Sequence, residues 1–205
     1  MRIVLIGPQG SGKGTQADRL QDLTGAAHLS SGALVRAEIE VKTDLGRAIQ
    51  RFNDAGELVP DEVMVKMIIP AIARQSDWVL DGFPRNVAQA LALHAALKSL
   101  STPVERAVVL TAPDAILIER LSGRRHSEAT GRIYHVDLAP PPPSDPGPFV
   151  RRVDDTPEDI RRRLEIYHTE TEPLKAYYAE RHILTEIDAS GPIEQVTSTI
   201  LRLFN

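Results

Sequence analysis

Near its start the chain runs Gly7-Pro-Gln-Gly-Ser-Gly-Lys-Gly-Thr15, and no other stretch limits so sharply what it can become. Glycines let the backbone curl until successive N–H groups turn inward on an anion, a path that a β-carbon resists. Before the loop stands the apolar run Ile3 to Ile6, short and branched as a buried strand is; after it Ala17, Leu20 and Leu23 recur on one face of an amphipathic helix. Strand, loop and helix in that order bring a helix N-terminus, with its partial positive charge, up behind the loop. Lys13 then reaches the outer phosphates of a nucleotide, and a hydroxyl becomes a ligand for Mg²⁺. The stricter form of this motif has Ser or Thr directly after the lysine, whereas here Gly14 intervenes and Thr15 carries the first hydroxyl. The competing reading, a glycine-rich turn with an incidental lysine, leaves the flanking strand and helix unexplained.

Further short apolar runs at Trp78 to Leu80, Ala107 to Leu110 and Ile183 to Ile187, with a weaker one near His28, read as buried strands separated by helical patterns. One of those patterns places Ile116, Leu117 and Leu121 on a shared face ahead of Arg124. Alternating strand and helix predicts an α/β fold of three layers around a central parallel sheet of about five strands, with ligands at the strands' carboxyl ends. A chain of 205 residues with 42% apolar content suits one such domain carrying inserted sub-domains. The stretch Ala139 to Pro148 holds six prolines and reads as an extended loop inside an insertion, since proline has no amide donor for helix or central strand. Beyond it Thr156, Pro157, Glu158 and Asp159 resemble a capping box, from which Ile160, Leu164 and Tyr167 continue as a buried stripe beside Arg163.

The formal charge of −4 opposes sequence-independent binding of nucleic acid, which needs a clustered positive field. With no cysteine the chain has no disulfide and no thiolate zinc site, and an oxidising compartment gains no support. No apolar run approaches membrane-spanning length and the opening residues are too short for a signal peptide, so the cytoplasm is the expected compartment. Of the 24 basic residues 19 are arginine, so their positions carry the information.

Four further segments make the chain resemble the adenylate kinases, a likeness that runs along nearly its whole length: Ser30-Ser-Gly-Ala-Leu-Val-Arg36, Asp54-Ala-Gly-Glu-Leu-Val59, Leu80-Asp-Gly-Phe-Pro-Arg85 with Gln89, and Arg120 through Gly123-Arg-Arg125 to Gly131-Arg-Ile-Tyr-His135. The displaced hydroxyl at Thr15 is itself typical of nucleoside monophosphate kinases. The resemblance implies a P-loop kinase domain over residues 1–205, with an AMP-binding insertion at 30–59 and a lid insertion at 122–155. It implies that Gly10, Ser11, Gly12, Lys13, Gly14 and Thr15 hold ATP together with Arg120, Arg124, Ile133, Tyr134 and Gly191. AMP would meet Ser31, where the family usually has threonine, along with Arg36, Glu57, Leu58, Val59, Gly82, Phe83, Pro84, Arg85, Gln89, Arg152 and Arg163. Lys13, Arg85, Arg124, Arg152 and Arg163 would carry catalysis. Mg²⁺ would come with ATP, ligated by Thr15 and held through water by Asp81. The partners implied are ATP, AMP and ADP, with no nucleic acid or membrane, and the chain would act as a monomer. Arg120 and Arg124, four apart, are expected on one helix face.

This sequence departs from the family in several places. A zinc knuckle found in the lid of some relatives is excluded by the lack of cysteine; His126, Thr130 and Asp145 could replace it by hydrogen bonds, although His126 also reads as a plain surface histidine. Ala33 stands where an acidic residue is frequent, which leaves Asp81 as the main carboxylate for the metal's water shell. Pro8-Gln9 reverses the usual order at the loop tip, and Pro60 and Asn86 are departures without an evident consequence. Three rival readings share parts of this pattern. A kinase for CMP or UMP is disfavoured by Gln89 and the long lid, and a GTP switch by the lack of an NKxD tetrapeptide. A scaffold without catalysis would not need Lys13, Asp81 and the arginines together.

Overall fold

A computed structural model describes residues 1–54, 59–151 and 155–204. Five strands form the parallel central sheet: β1 (Arg2–Ile6), β2 (Ala27–Ser30), β3 (Trp78–Asp81), β4 (Arg106–Thr111) and β8 (Leu184–Asp188), in the order β2-β3-β1-β4-β8. Alternation along each strand decides which layer it feeds. Val4 and Ile6 of β1, with Trp78, Leu80, Ala107 and Val109, face the helices α4 (Asp61–Ile72) and α5 (Val87–Ser99). Their neighbours Ile3 and Leu5, with Val79, Val108 and Leu110, face α1 (Lys13–Thr24) and α9 (Ile193–Leu201) through Ala17, Leu20, Val196 and Ile200. Both faces are therefore covered, which is why β1, β3 and β4 are apolar along most of their length, while the edge strands β2 and β8 are less buried. The predicted fold class is the observed one.

One residue expected in the core is outside it. Leu23 is 61% exposed, while Gln16, Ala17 and Leu20 form the buried face of α1. Each step of three residues falls about 60° short of a full helical turn, so two steps from Ala17 carry Leu23 off that face.

Since β1 lies between β3 and β4, the crossovers leave it in opposite directions, and a crevice opens at its carboxyl end. The glycine loop follows β1 there, and the carboxyl ends of β2 and β3 are in register beside it, with Ser30 opposite Asp81 and Asp81 opposite Leu5. Two helices, α2 (Ser31–Val41) and α3 (Asp44–Asp54), pack together after β2. After α6 (Asp114–Ser122) the chain forms a small antiparallel sheet of β5 (Arg124–Ser127), β6 (Ile133–His135) and β7 (Phe149–Val150), with β5 central. The proline-rich stretch is the irregular connection between β6 and β7, as its composition requires. It leads to α7 (Pro157–Ile166), whose N-cap Thr156 accepts a hydrogen bond from the Asp159 N–H at 3.1 Å. Leu117 and Leu121 of α6 pack on Ile160 and Leu164 of α7, so one apolar contact anchors both ends of the inserted sheet. A π-helical turn (Tyr167–Thr171) and α8 (Leu174–Ala179) return the chain to β8.

Candidate active site

The loop after β1 has the curl expected of it. Gly7, Gly10 and Gly12 all have positive φ, and a β-carbon at Gly7 would stand 2.5 Å from the Leu110 carbonyl oxygen. The Ser11 N–H donates to the Pro8 carbonyl at 3.2 Å, closing a turn, and Lys13 Nζ donates to the carbonyls of Gly7 and Pro8 at 2.7 and 2.8 Å. The Pro8-Gln9 order therefore leaves the turn intact, with Pro8 buried and supplying two acceptor contacts. Loss of hydration pushes the Lys13 ammonium down to about 8; Asp81 opposes this, while Arg85 and Arg124 add to it.

Asp81 closes β3 beside this lysine. Burial would raise its pKa, but His28, Lys13 and Arg85 hold it below the usual carboxylate range. His28 stands between two carboxylates, its Nδ1 2.7 Å from Asp18 and its Nε2 3.8 Å from Asp81. Burial works against the imidazolium, yet the two acidic partners outweigh it and lift His28 to about 9. His28 and Asp18 are neighbours of the site that the sequence reading missed, and only the pairing of β2 with β3 brings them to Asp81.

Arginines converge from the lid side. Arg120 donates to the carbonyls of Ala189 and Ser190 at 2.8 and 3.2 Å, which sets it beside Gly191. Arg124 makes a bidentate contact with Asp155, 2.9 Å from Nε and 2.5 Å from a terminal nitrogen, and Arg163 reaches the same carboxylate at 3.0 Å. Asp155 is fully buried; burial would raise its pKa, but the two guanidiniums hold it low. The expectation that Arg120 and Arg124 share a helix face does not hold. The helix ends at Ser122, where the His135 ring packs so closely on Gly123 that a β-carbon would run into it, and Arg124 opens a strand instead. Both still line the cleft.

Across from the loop, Ser31 is buried at the start of α2, and a β-carbon on Gly82 would meet its hydroxyl at 2.7 Å. Arg85 Nε donates to the Gly82 carbonyl at 2.9 Å. The Arg85 side chain is exposed to the cleft, but the crowding protein lowers its pKa, opposed by Asp81 and reinforced by Arg163. Pro84 and Arg36 also line the cleft, whereas Phe83 is a core residue. Val59 packs against the same core cluster. Gln89 is buried one turn into α5 and is not among the lining residues; Glu57, Leu58 and Arg152 lie outside the described residues. Asn86, to which the sequence assigned no consequence, caps α5 by accepting the Gln89 N–H at 2.8 Å.

The inserted sheet is centred on Asp145. Its carboxylate accepts from the hydroxyls of Ser127, Thr130 and Tyr134 at 2.7, 2.7 and 2.9 Å and from the Gly147 N–H at 3.0 Å. Burial opposes the charge, but these donors hold the acid well below the usual carboxylate range. Thr130 and Asp145 are thus joined as expected, and Ser127 and Tyr134, which the sequence did not suggest, complete the set. The Tyr134 ring meets Phe149 edge-on at 5.8 Å between centroids. Replacing Asp145 by alanine leaves four donors without their common acceptor. Hydrogen exchange is therefore expected to show lost protection across 125–135 with the central strands unaffected; unchanged lid protection would contradict this hub.

The inserted sheet stands over the glycine loop. Ile133 lies close to Gly14, and Arg132 pairs with Asp22 of α1 at 3.2 Å. Between them runs a cleft of about 1630 Å³, well beyond the ~300–1,000 Å³ of a site for one small ligand. Five of the seven buried side-chain polar atoms without a hydrogen bond among the described residues belong to cleft residues: Gln9, Ser11, Ser31, His135, and His28, whose Nε2 faces Asp81 at 3.8 Å, beyond hydrogen-bond reach. Buried polar atoms are rarely left unpaired, so their concentration here suits a polar ligand. Among the described residues no group of three or more His, Asp or Glu side chains is arranged around a metal. Mg²⁺ needs no such cage, because it keeps water and phosphate oxygens and takes one or two protein ligands; the Thr15 hydroxyl and the ionised Asp81 fit it.

The family model described as Adenylate kinase matches residues 5–183. An adenylate kinase of Fusobacterium nucleatum is 40% identical over 206 residues, covering 99% of this chain and 98% of the relative. That of Salinibacter ruber is 43% identical, covering 98% and 96%, and that of Streptomyces coelicolor 40%, covering 98% and 97%. A likeness of this strength from end to end, on a sheet whose crevice gathers a phosphate loop and its facing cations, makes the chain a member of the adenylate kinase family, a phosphotransferase working between ATP and AMP.

Proposed function

We propose that ATP lies along the glycine loop with Lys13 and Thr15, Arg120, Arg124, Ile133, Tyr134 and Gly191, and that AMP lies against Ser31, Arg36, the 57–59 stretch, Gly82 to Arg85 and Gln89. The insertion at 30–59 then holds the acceptor and that at 122–155 is the lid. The observation that supports this division is that the loop and the Ser31-Gly82-Arg85 wall line one cleft, large enough for two nucleotides, with cations from both sides. The attacking group of AMP is an ionised phosphate oxygen, so no general base has to create the nucleophile. The barrier is instead the repulsion between two anions and the charge on the transferring phosphoryl group. Lys13, Arg85, Arg124, Arg152 and Arg163 offset that charge from fixed positions, which is more effective than water that must reorganise. Asp155 orients two of them, Arg124 and Arg163. Mg²⁺ held by Thr15 and, through water, by Asp81 would supply further positive charge at the outer phosphates; no zinc is required. Closure of the lid over the loop excludes water, the competing acceptor; the adenylate kinase lid is itself a standard example of such gating.

A cytoplasmic setting is proposed, since a cysteine-free chain gains nothing from an oxidising compartment, and the resemblance to the adenylate kinases implies a monomer. Purified protein mixed with ATP, Mg²⁺ and AMP is expected to form ADP only while AMP and Mg²⁺ are both present. Equal ADP production without AMP would identify an ATPase instead.

A further inference from the structure

Gln89 is held at both ends of its amide. Its Oε1 accepts the Arg85 backbone N–H at 2.7 Å, and its Nε2 donates to Asp61 Oδ1 at 2.6 Å. Neither partner can reverse its role: a backbone N–H only donates, and a carboxylate only accepts. Asn86 adds to the same polarity. Its Oδ1 is committed to the Gln89 N–H at 2.8 Å, so its amide nitrogen faces Asp61, 3.5 Å from either oxygen. Two NH₂ groups thus turn toward one carboxylate at the start of α4, and Gln89 is 6% exposed.

A carboxamide turned by 180° about its last torsion exchanges its donor and acceptor at little intrinsic cost, so its direction is set by its partners. From this arrangement we infer that Asp61 is a positioning residue for monophosphate specificity: with the Arg85 N–H it fixes Gln89 in one flip state. The inference rests on Gln89 meeting the base of the acceptor nucleotide. An adenine offers an N–H donor at position 6 and an acceptor at N1, and a 6-oxo purine offers the reverse. A freely turning amide serves both, and a fixed one serves only one of them; with AMP as the acceptor, the fixed state is the one matched to adenine. Of the four hydrogen-bonding positions of the Gln89 amide, one donor and one acceptor are used by Asp61 and Arg85. Whichever remaining positions meet the base, the order of donor and acceptor along the amide is set. Sites that hydrogen-bond a substrate group reject the mismatched analogue strongly, because their own polar groups are left unpaired.

The test is the ratio of kcat/KM for AMP to that for inosine monophosphate, which carries the 6-oxo group in place of the 6-amino group. Both are measured with ATP on one preparation, so the folded fraction cancels. Asp61→Asn replaces an obligate acceptor by a group that can also donate and removes one of the two restraints on Gln89, leaving only the Arg85 N–H to oppose the turned amide. The ratio is expected to fall about tenfold or more, through KM for the monophosphate and not through KM for ATP. Asp61→Glu keeps an acceptor-only group and is expected to recover most of the ratio. A role confined to stability would lower both substrates together; that result, or an unchanged ratio in Asp61→Asn, overturns the inference. Gln89→Ala separates the two levels. If it leaves the ratio at the wild-type value, the assignment of Gln89 to the base fails. If it collapses the ratio while Asp61→Asn does not, only the role of Asp61 fails.

Discussion

Alanine in place of Arg163 is expected to lower kcat by about 10³-fold or more, with KM for either nucleotide changed far less; this corresponds to about 4 kcal/mol of barrier. The guanidinium reaches the cleft from α7, and its bond to Asp155 sets it beside Arg124; in the proposed arrangement both face the phosphoryl group as it moves between two anions. An interaction that grows in the transition state appears in kcat. Lysine at 163 is expected to restore little, because an ammonium cannot reproduce a planar fork on both carboxylate and phosphate. Should kcat survive while only KM rises, Arg163 belongs to ground-state binding. Arg124→Ala is subject to the same division, and because both arginines share Asp155 the double variant is expected to lose less than the product of the two single losses.

Methionine at position 13 is expected to cost about 10²–10³-fold in kcat/KM for ATP, the loss typical of removing one preorganised donor to a developing anion. Its pH dependence gives a second reading. The depressed Lys13 value of about 8 means that the free enzyme loses this cation as pH rises through that point. A polyphosphate favours the charged form and restores it, so binding takes up a proton above pH 8. The kcat/KM for ATP is therefore expected to fall up to tenfold per pH unit on the alkaline side. His28 titrates nearer 9, beside Asp81, and remains in the Lys13→Met protein. A limb starting near pH 8 that persists in that variant would show that another group governs it.

Much of the fold could be read before any coordinates because its strands are buried on both faces. Ile3 to Ile6 and Ala107 to Leu110 are apolar without interruption, and no alternation with polar residues blurs them. Leu23 shows the limit of that reading: three-residue spacing suggests a helix but does not say how wide its buried face is. At the site, the cations were legible because charge, glycine and proline carry their chemistry in the residue type. Their partners were not. Asp155 meets Arg124 across 31 positions, and beside the cations Asp61 meets Gln89 across 28. An acidic residue at such a distance looks like any solvated carboxylate until strands and helices are folded together. The doubled aspartate of the Arg151-Arg-Val-Asp-Asp155 run was the nearest thing to a signal for the first of them.

Gly14 first stood out only because it delays the hydroxyl by one position. A β-carbon there would lie 3.4 Å from Ile133 of the lid and 3.6 Å from the Asp81 carboxylate, in contact with both. A threonine would have to extend its γ atoms from a carbon already touching a neighbour on either side. Both distances are ordinary van der Waals contacts, so the β-carbon itself fits; it is the hydroxyl and methyl of the stricter motif that would have to find room against β6 and Asp81, which ties the spelling of the phosphate loop to the inserted sheet above it.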